Sequence, residues 1–170
     1  MNVSDTDRDS VMKALSADDV IWRPHVTVAT VVPRDGRFLL VEEDIRGRIV
    51  LNQPAGHLDP DESLLSAAVR ETLEETGWDF EPDAVTGVYL WKNAEVDATF
   101  LRVAFHGRCL KHHPERRLDH GIVAAHWLSR EELASGRHAL RTPLVLQCID
   151  DLLAGRRYPL ELLSFIPDPM

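Results

Sequence analysis

The stretch GHLDPDESLLSAAVRETLEETGW, residues 56–78, decides how this chain is read. Its apolar spacing predicts a helix over 62–76. Asp59 as N-cap, Pro60 at the first helical position and Glu62 at the third would form a capping box, with Asp61 the competing cap. Gly77 suits the left-handed residue that ends a helix. At about 100° per residue, Glu71, Glu74 and Glu75 share one face, and Leu65, Val69 and Leu73 fall on the opposite one. The predicted helix therefore carries an apolar stripe to bury and an acidic stripe to present.

Like charges three or four apart cost a helix ~0.2–0.5 kcal/mol per pair. The Glu71–Glu74 and Glu71–Glu75 pairs both carry that cost, and Arg70 is the adjacent cation. Clustered oxygen ligands suit a hard divalent cation, which takes one or two carboxylates and completes its shell with waters and substrate phosphates. A solvated acidic face accounts for an isolated Glu-Glu pair just as simply. The spacing around the pair separates the two readings.

Five residues separate Gly56 from Glu62, and seven more lead to Arg70-Glu71. Two residues on come Glu74-Glu75, then Gly77 and Trp78. This pattern resembles the Nudix box, G-x5-E-x7-R-E-U-x-E-E-x-G-U, where U is a large apolar residue. Every fixed position matches, and Trp78 supplies the final U. Thr72 departs from the pattern, since an apolar residue is expected there. A motif of this length is far more specific than a short glycine signature.

The resemblance implies an α/β fold: a Nudix-type α/β/α sandwich with a mixed β-sheet and a loop–helix–loop box. It implies hydrolysis of a nucleoside diphosphate linked to another group, or of a similar small pyrophosphate, with Mg²⁺ or Mn²⁺. Glu71, Glu74 and Glu75 then look like metal carboxylates, with the Gly56 carbonyl as a further ligand. Glu62 and Arg70 look like a salt bridge that braces the box. A general base is often drawn from a loop outside it, which points to Asp119, with Glu71 or Glu75 as alternatives. Longer stretches, PHVTVATVV (24–32), FLLVEE (38–43), NQPAGHL (52–58) and RYPLELL (157–163), resemble the NudJ-type phosphatases of the family across residues 22–165. That subgroup implies release of single phosphates from nucleoside di- and triphosphates, or from hydroxymethylpyrimidine pyrophosphate, a thiamine precursor. The alternatives are a Nudix pyrophosphohydrolase of another specificity (nucleotide sugar, dinucleotide or oxidised nucleotide) and a non-catalytic nucleotide sensor. Sensors generally lose box carboxylates, and here all are present.

The rest of the chain bounds this reading. A length of 170 residues suits one domain with its own core. The net charge of −9 argues against nucleic acid as a partner. Anionic small molecules stay open, because a bound cation reverses the local sign. Two cysteines make no disulfide framework. No apolar run reaches signal or membrane-span length, so a cytoplasmic protein without a membrane partner is expected, monomeric or homodimeric. Residues 1–21 read as a weakly ordered arm and 166–170 as a tail.

Strands are expected at 25–32 and 37–43, paired as a hairpin across the turn PRDG, and at 49–53, 84–91, 98–110 and 122–128. A short helix should begin at Ser129 with a capping box to Glu132, and a longer one should span 142–155 with Thr142 as cap. Gln53, His57 and Glu43 are candidate substrate contacts, although edge-strand solvation explains Glu43 as well. Arg116 and Arg117 suit a phosphate tail or plain solvation. Tyr89, Trp91 and Phe100 suit a stacked base or the core. Cys109, His112 and His113 suggest zinc but lack a fourth ligand at a recognised spacing. The phosphate-loop motif of P-loop NTPases is missing.

Overall fold

The computed structural model describes residues 22–167. The arm expected at 1–21 and the end of the tail, 168–170, lie outside the described residues. The elements run β1 (His25–Val31), β2 (Pro33–Arg34), β3 (Arg37–Ile45), β4 (Arg48–Asn52), β5 (Ala55–His57), α1 (Leu64–Thr76), β6 (Trp78–Asn93), β7 (Ala98–His112), β8 (Ile122–Ser129), α2 (Arg130–Ala134) and α3 (Leu144–Leu153), then a 3₁₀ turn at Leu160–Leu162.

Two layers of strands form, the first a mixed sheet and the second antiparallel throughout. One sheet has the order β5-β1-β7-β6, with β1 parallel to β7 and antiparallel to β5. In the other, β3 is central. It pairs with β8 along one edge and with β2 and then β4 along the opposite edge. The expected hairpin over 25–43 is therefore corrected. Asp35 (φ 49°) and Gly36 (φ 75°) do make a tight turn, but it joins β3 only to the two-residue β2. The chain leaves the first sheet after Val31, so β1 and β3 lie in different sheets.

Alternation along the strands builds the sandwich. Val28, Val32, Leu39, Val103 and Phe105 point to one side and pack with Ala67 and Ala68 of α1. Val31, Phe38, Leu40 and Ala104 point to the other side and pack with Val145, Cys148 and Ile149 of α3. The expected α/β/α architecture follows from these two clusters.

The ends of α1 differ from the prediction at one terminus. Gly77 stops it as predicted, with φ 70° and its N–H donating to Leu73. The start is two residues later than predicted, because Asp61 takes a left-handed φ of 61° that a helix cannot include. Ser63 is the N-cap and accepts from the Ser66 N–H at 3.0 Å. Glu62 stays outside the helix, where it accepts from the Asp59 N–H at 3.3 Å. At α2 the capping box of Ser129 and Glu132 is present in both directions. At α3 it is Pro143 that holds the cap position, with no side-chain bond, so the capping role expected of Thr142 is corrected.

Candidate active site

The burial of α1 reverses part of the expected pattern. Glu71 and Glu75 are buried along with Ala67, Ala68 and Thr72, while Leu65, Val69 and Leu73 are only half-buried. Small residues on the inner face let the helix approach the sheets closely, and this draws the flanking carboxylates inward. Thr72, the departure from the motif, lies at the centre of the contact and is fully buried. Its hydroxyl donates to the Ala68 carbonyl at 2.8 Å and lies 2.9 Å from the Thr30 hydroxyl on β1. A polar residue is accommodated there because a polar partner faces it.

Gly56 is required by close approach. A Cβ added there would overlap the Glu71 carboxylate outright, although the backbone of Gly56 is not in the left-handed region. Next to it, the Ala55 N–H donates to Glu75 Oε2 at 2.8 Å. Loop and helix are thus set against each other through two carboxylates.

Arg70 organises the outer side. Its Nε and Nη2 donate to the two oxygens of Glu62 at 2.9 and 2.8 Å. Nη1 reaches Glu71 at 2.7 Å and Glu74 at 3.2 Å, and Nη2 also donates to the His57 carbonyl at 3.1 Å. Pairing with Arg70 holds the Glu62 carboxyl below its ordinary range, and the acceptors raise the affinity of Arg70 for its own proton.

The inner carboxyls are shifted the other way. Burial raises Glu71, only partly offset by Arg70. Burial pushes Glu75 up to about 8, against the pull of the Ala55 N–H, and the charges of Glu71 and Asp119 add to the rise. Asp119 is therefore close enough to act on both glutamates. Its own N–H donates to the Glu74 carbonyl at 3.0 Å, which fastens the 113–121 loop to α1. Arg116 and Arg117 share a cavity of about 330 Å³ with Glu74 and Asp119. Among the described residues, no three His, Cys, Asp or Glu side chains already converge as a ligand cluster. The Arg70 guanidinium occupies Glu71 and Glu74, and Glu75 is turned to the Ala55 N–H. The donors are nonetheless all oxygens, and burial of Glu71 and Glu75 makes their ionised forms favourable only beside a cation, which fits a hard divalent ion.

Other sequence candidates fall elsewhere. Gln53 is fully buried. Its amide donates to the Val145 carbonyl at 2.8 Å and its carbonyl faces Arg102 at 3.4 Å, so its bonding capacity is used inside the fold. Glu43 is buried on a central strand, paired with Arg141 and accepting from Asn52 at 2.9 Å, which corrects the solvated edge position. His57 is exposed in the box loop, edge-on to His25. His112 stacks on Trp78 and His113 lies 3.1 Å from Asp79, while burial pushes the Cys109 thiol up to about 12. The suggestion of zinc at these three residues thus meets a protonated thiol and two imidazoles engaged elsewhere. Tyr89 donates to Asp151 at 2.9 Å, whereas Trp91 and Phe100 stack on each other and line a cavity together with Gly56 and His57. Arg102 went unnoticed in the sequence, although a charge inside the apolar run FLRVAF is a visible anomaly.

The NUDIX domain family model matches residues 22–147. The chain belongs to the Nudix family. It is 42% identical over 144 residues to the Phosphatase NudJ of Escherichia coli strain K12, covering 85% of this chain and 93% of that one. A solved NUDIX hydrolase from Nitrosomonas europaea is 49% identical, with a TM-score of 0.84 over 86% of this chain and 100% of the other. The NUDIX domain of Shewanella oneidensis NrtR, solved with ADP ribose, shares the fold at a TM-score of 0.64 and 14% identity. This Nudix protein is accordingly a hydrolase of phosphoanhydrides, in a family that generally uses a divalent metal. Among its described residues, no helix is long and apolar enough to cross a membrane.

Proposed function

We propose that this Nudix hydrolase removes phosphate from a nucleoside di- or triphosphate, or from a related small organic pyrophosphate, in the manner implied by its likeness to the NudJ phosphatase. Glu71, Glu74, Glu75 and the Gly56 carbonyl would hold Mg²⁺ or Mn²⁺. When bound, the ion neutralises charge on phosphoryl oxygens and makes a water more acidic. The observation that carries the reading is the contact of Gly56 with the Glu71 carboxylate, which leaves no room for any side chain. The close approach itself calls for glycine, and it sets the Gly56 backbone directly against a buried carboxylate, which suits a carbonyl and a carboxylate serving one ion.

The residues divide the work by their surroundings. Arg70 and Glu62 orient the box and stay charged throughout. Asp119, on the loop fastened to Glu74, would accept the proton of the attacking water, with Glu71 and Glu75 the alternatives. Burial of Glu71 and Glu75 excludes bulk water from the point where charge develops.

The test is release of phosphate and pyrophosphate from nucleoside di- and triphosphates, nucleotide sugars, dinucleotides and hydroxymethylpyrimidine pyrophosphate, with and without Mg²⁺. Metal-dependent phosphate release from at least one nucleotide or pyrimidine pyrophosphate is expected, abolished in Glu75→Gln. Cleavage confined to nucleotide sugars or dinucleotides would place the protein with the pyrophosphohydrolases instead. No hydrolysis of any of them would overturn the reading.

A further inference from the structure

The cavity of about 390 Å³ beside the box loop carries a charge opposite in sign to that of the chain. The protein has a net charge of −9, yet among Asp, Glu, Lys and Arg this cavity is lined by Arg48, Arg102 and Arg141 against Glu95 alone. Cations gathered from separate elements onto one concave surface repel each other, and a concave wall of one sign focuses its field on the space in front of it.

Each arginine reaches the cavity for a local reason. Side chains alternate along β4, so Arg48, Val50 and Asn52 leave the strand on the cavity face. Arg141 is set against the same strand by its backbone. Its N–H donates to the Leu51 carbonyl at 2.9 Å, and the Leu51 N–H donates to Ala139 at 2.8 Å. Arg102 comes from β7, in the other sheet.

Arg141 is the fixed member of the set. Its Nη1 pairs with Glu43, which is 4% exposed and also accepts from the Asn52 amide at 2.9 Å. The buried carboxylate grips one edge of the guanidinium, while the Arg141 side chain as a whole stays 46% exposed. Arg48 lies four residues before Asn52, about 13 Å along the strand. It is exposed and has no carboxylate within salt-bridge distance among the described residues. Arg102 is buried and meets only the Gln53 carbonyl, at 3.4 Å, so it adds positive potential to the wall without reaching a ligand.

The row has a direction. Gly56 and His57 line the same cavity, whereas Glu74 and Asp119 line another. The basic wall thus begins beside the box loop and runs away from the box acids along β4. A cation held by those acids and the guanidinium groups of Arg141 and Arg48 would contact different parts of one molecule.

We propose that Arg48 and Arg141 form a metal-independent anion subsite for a phosphate that the enzyme does not cleave. Guanidinium forks suit the paired oxygens of such a group. The phosphate belongs either to a chain continuing away from the cleaved bond or to a second position on the substrate's organic group. The assignment rests on the proposed function for which bond is cleaved, but occupancy of the subsite requires neither metal nor turnover.

The experiment is calorimetry with the full chain in EDTA, with inorganic tripolyphosphate and fructose 1,6-bisphosphate as probes. The wild type is expected to bind at least one of them. Arg48→Gln removes an exposed, unpaired cation and is expected to weaken that binding about fivefold at unchanged melting temperature. Arg141→Gln alone would strand Glu43 in the interior, so the second variant is E43Q/R141Q, which removes both charges together and is expected to weaken binding about tenfold or more. Tighter binding of tripolyphosphate supports the subsite and assigns it to a phosphate chain. Tighter binding of the bisphosphate supports it and assigns it to a phosphate on the organic group. Binding of neither probe, or unchanged affinity in both variants, would overturn the proposal. Binding that tracks the two arginines in a protein that hydrolyses nothing with Mg²⁺ would leave the subsite standing and overturn the proposed function instead.

Discussion

Substituting alanine for Gly56 separates the chemistry of the box from its folding. The added methyl would sit inside van der Waals contact with both oxygens and the carboxyl carbon of Glu71. Restoring a normal contact of about 3.5 Å moves that carboxylate by more than ~1 Å. The backbone tolerates the change, because the φ of Gly56 is not positive. The obstructing group is the end of a flexible side chain, so the variant should fold with a stability change within about 1 kcal/mol of wild type. Catalysis should suffer far more, since misplacement of a reacting or ligating group by about 1 Å costs ~10²-fold. Gly56→Ala should thus lower kcat/KM ~100-fold and raise the Mg²⁺ concentration needed for half-maximal rate, at near-normal melting temperature. The paired measurements are initial rates across a Mg²⁺ titration and thermal unfolding in EDTA. If Gly56→Ala kept more than about a third of wild-type activity, the close approach would have no role in the chemistry.

Three further substitutions address the surrounding structure. Thr72→Val should destabilise the protein by ~1–2 kcal/mol in urea unfolding, because it strands the buried Thr30 hydroxyl, and T30V/T72V should recover most of that loss. Equal costs in the single and double variants would mean that the pair does not interact. In metal-free protein the native Glu75 carboxyl titrates near 8, against 4.5 in the unfolded chain. Folding therefore takes up a proton between those values, and stability falls as pH rises through that window. Glu75→Gln lacks this slope and should be more stable than wild type by ~2–4 kcal/mol at pH 8 and about equal near pH 4.5, as read by unfolding in EDTA. Parallel profiles for the two proteins would refute the burial argument. Arg70→Lys keeps the charge but loses the fork that grips Glu62, Glu71, Glu74 and the His57 carbonyl together, so activity should fall ~10–100-fold. Full activity in that variant would remove the brace from the account.

Which features were legible in the sequence depended on whether their cause is local. Gly77 as helix stop and Ser129 with Glu132 as capping box are set by residues a few positions apart, and both stand as read. The start of α1 was misplaced because Asp61 adopts a left-handed turn that composition does not reveal. The inward position of Glu71 and Glu75 was hidden for a different reason. A helical wheel assigns charge to the outside, whereas Ala67, Ala68 and Thr72 let this helix settle deep enough to take its acids with it. The apparent hairpin over 25–43 failed because pairing across sheets depends on partners, β5 and β7 for one strand and β4 and β8 for the other, that lie far along the chain. The polar cavity beside Gly56 was the least legible feature. Its lining residues are spread from Thr27 to Leu144, and the registry of β1 with β7 and the docking of α3 bring them together.

The central claim is that the box acids hold a divalent cation. Its most direct test is Mn²⁺ binding followed by electron paramagnetic resonance, with wild type compared to E71Q/E74Q/E75Q. The account predicts stoichiometric binding by the wild type and affinity at least ~100-fold weaker in the variant, which keeps Arg70 and Glu62 and should still fold. Equal Mn²⁺ affinity in the two proteins would contradict it.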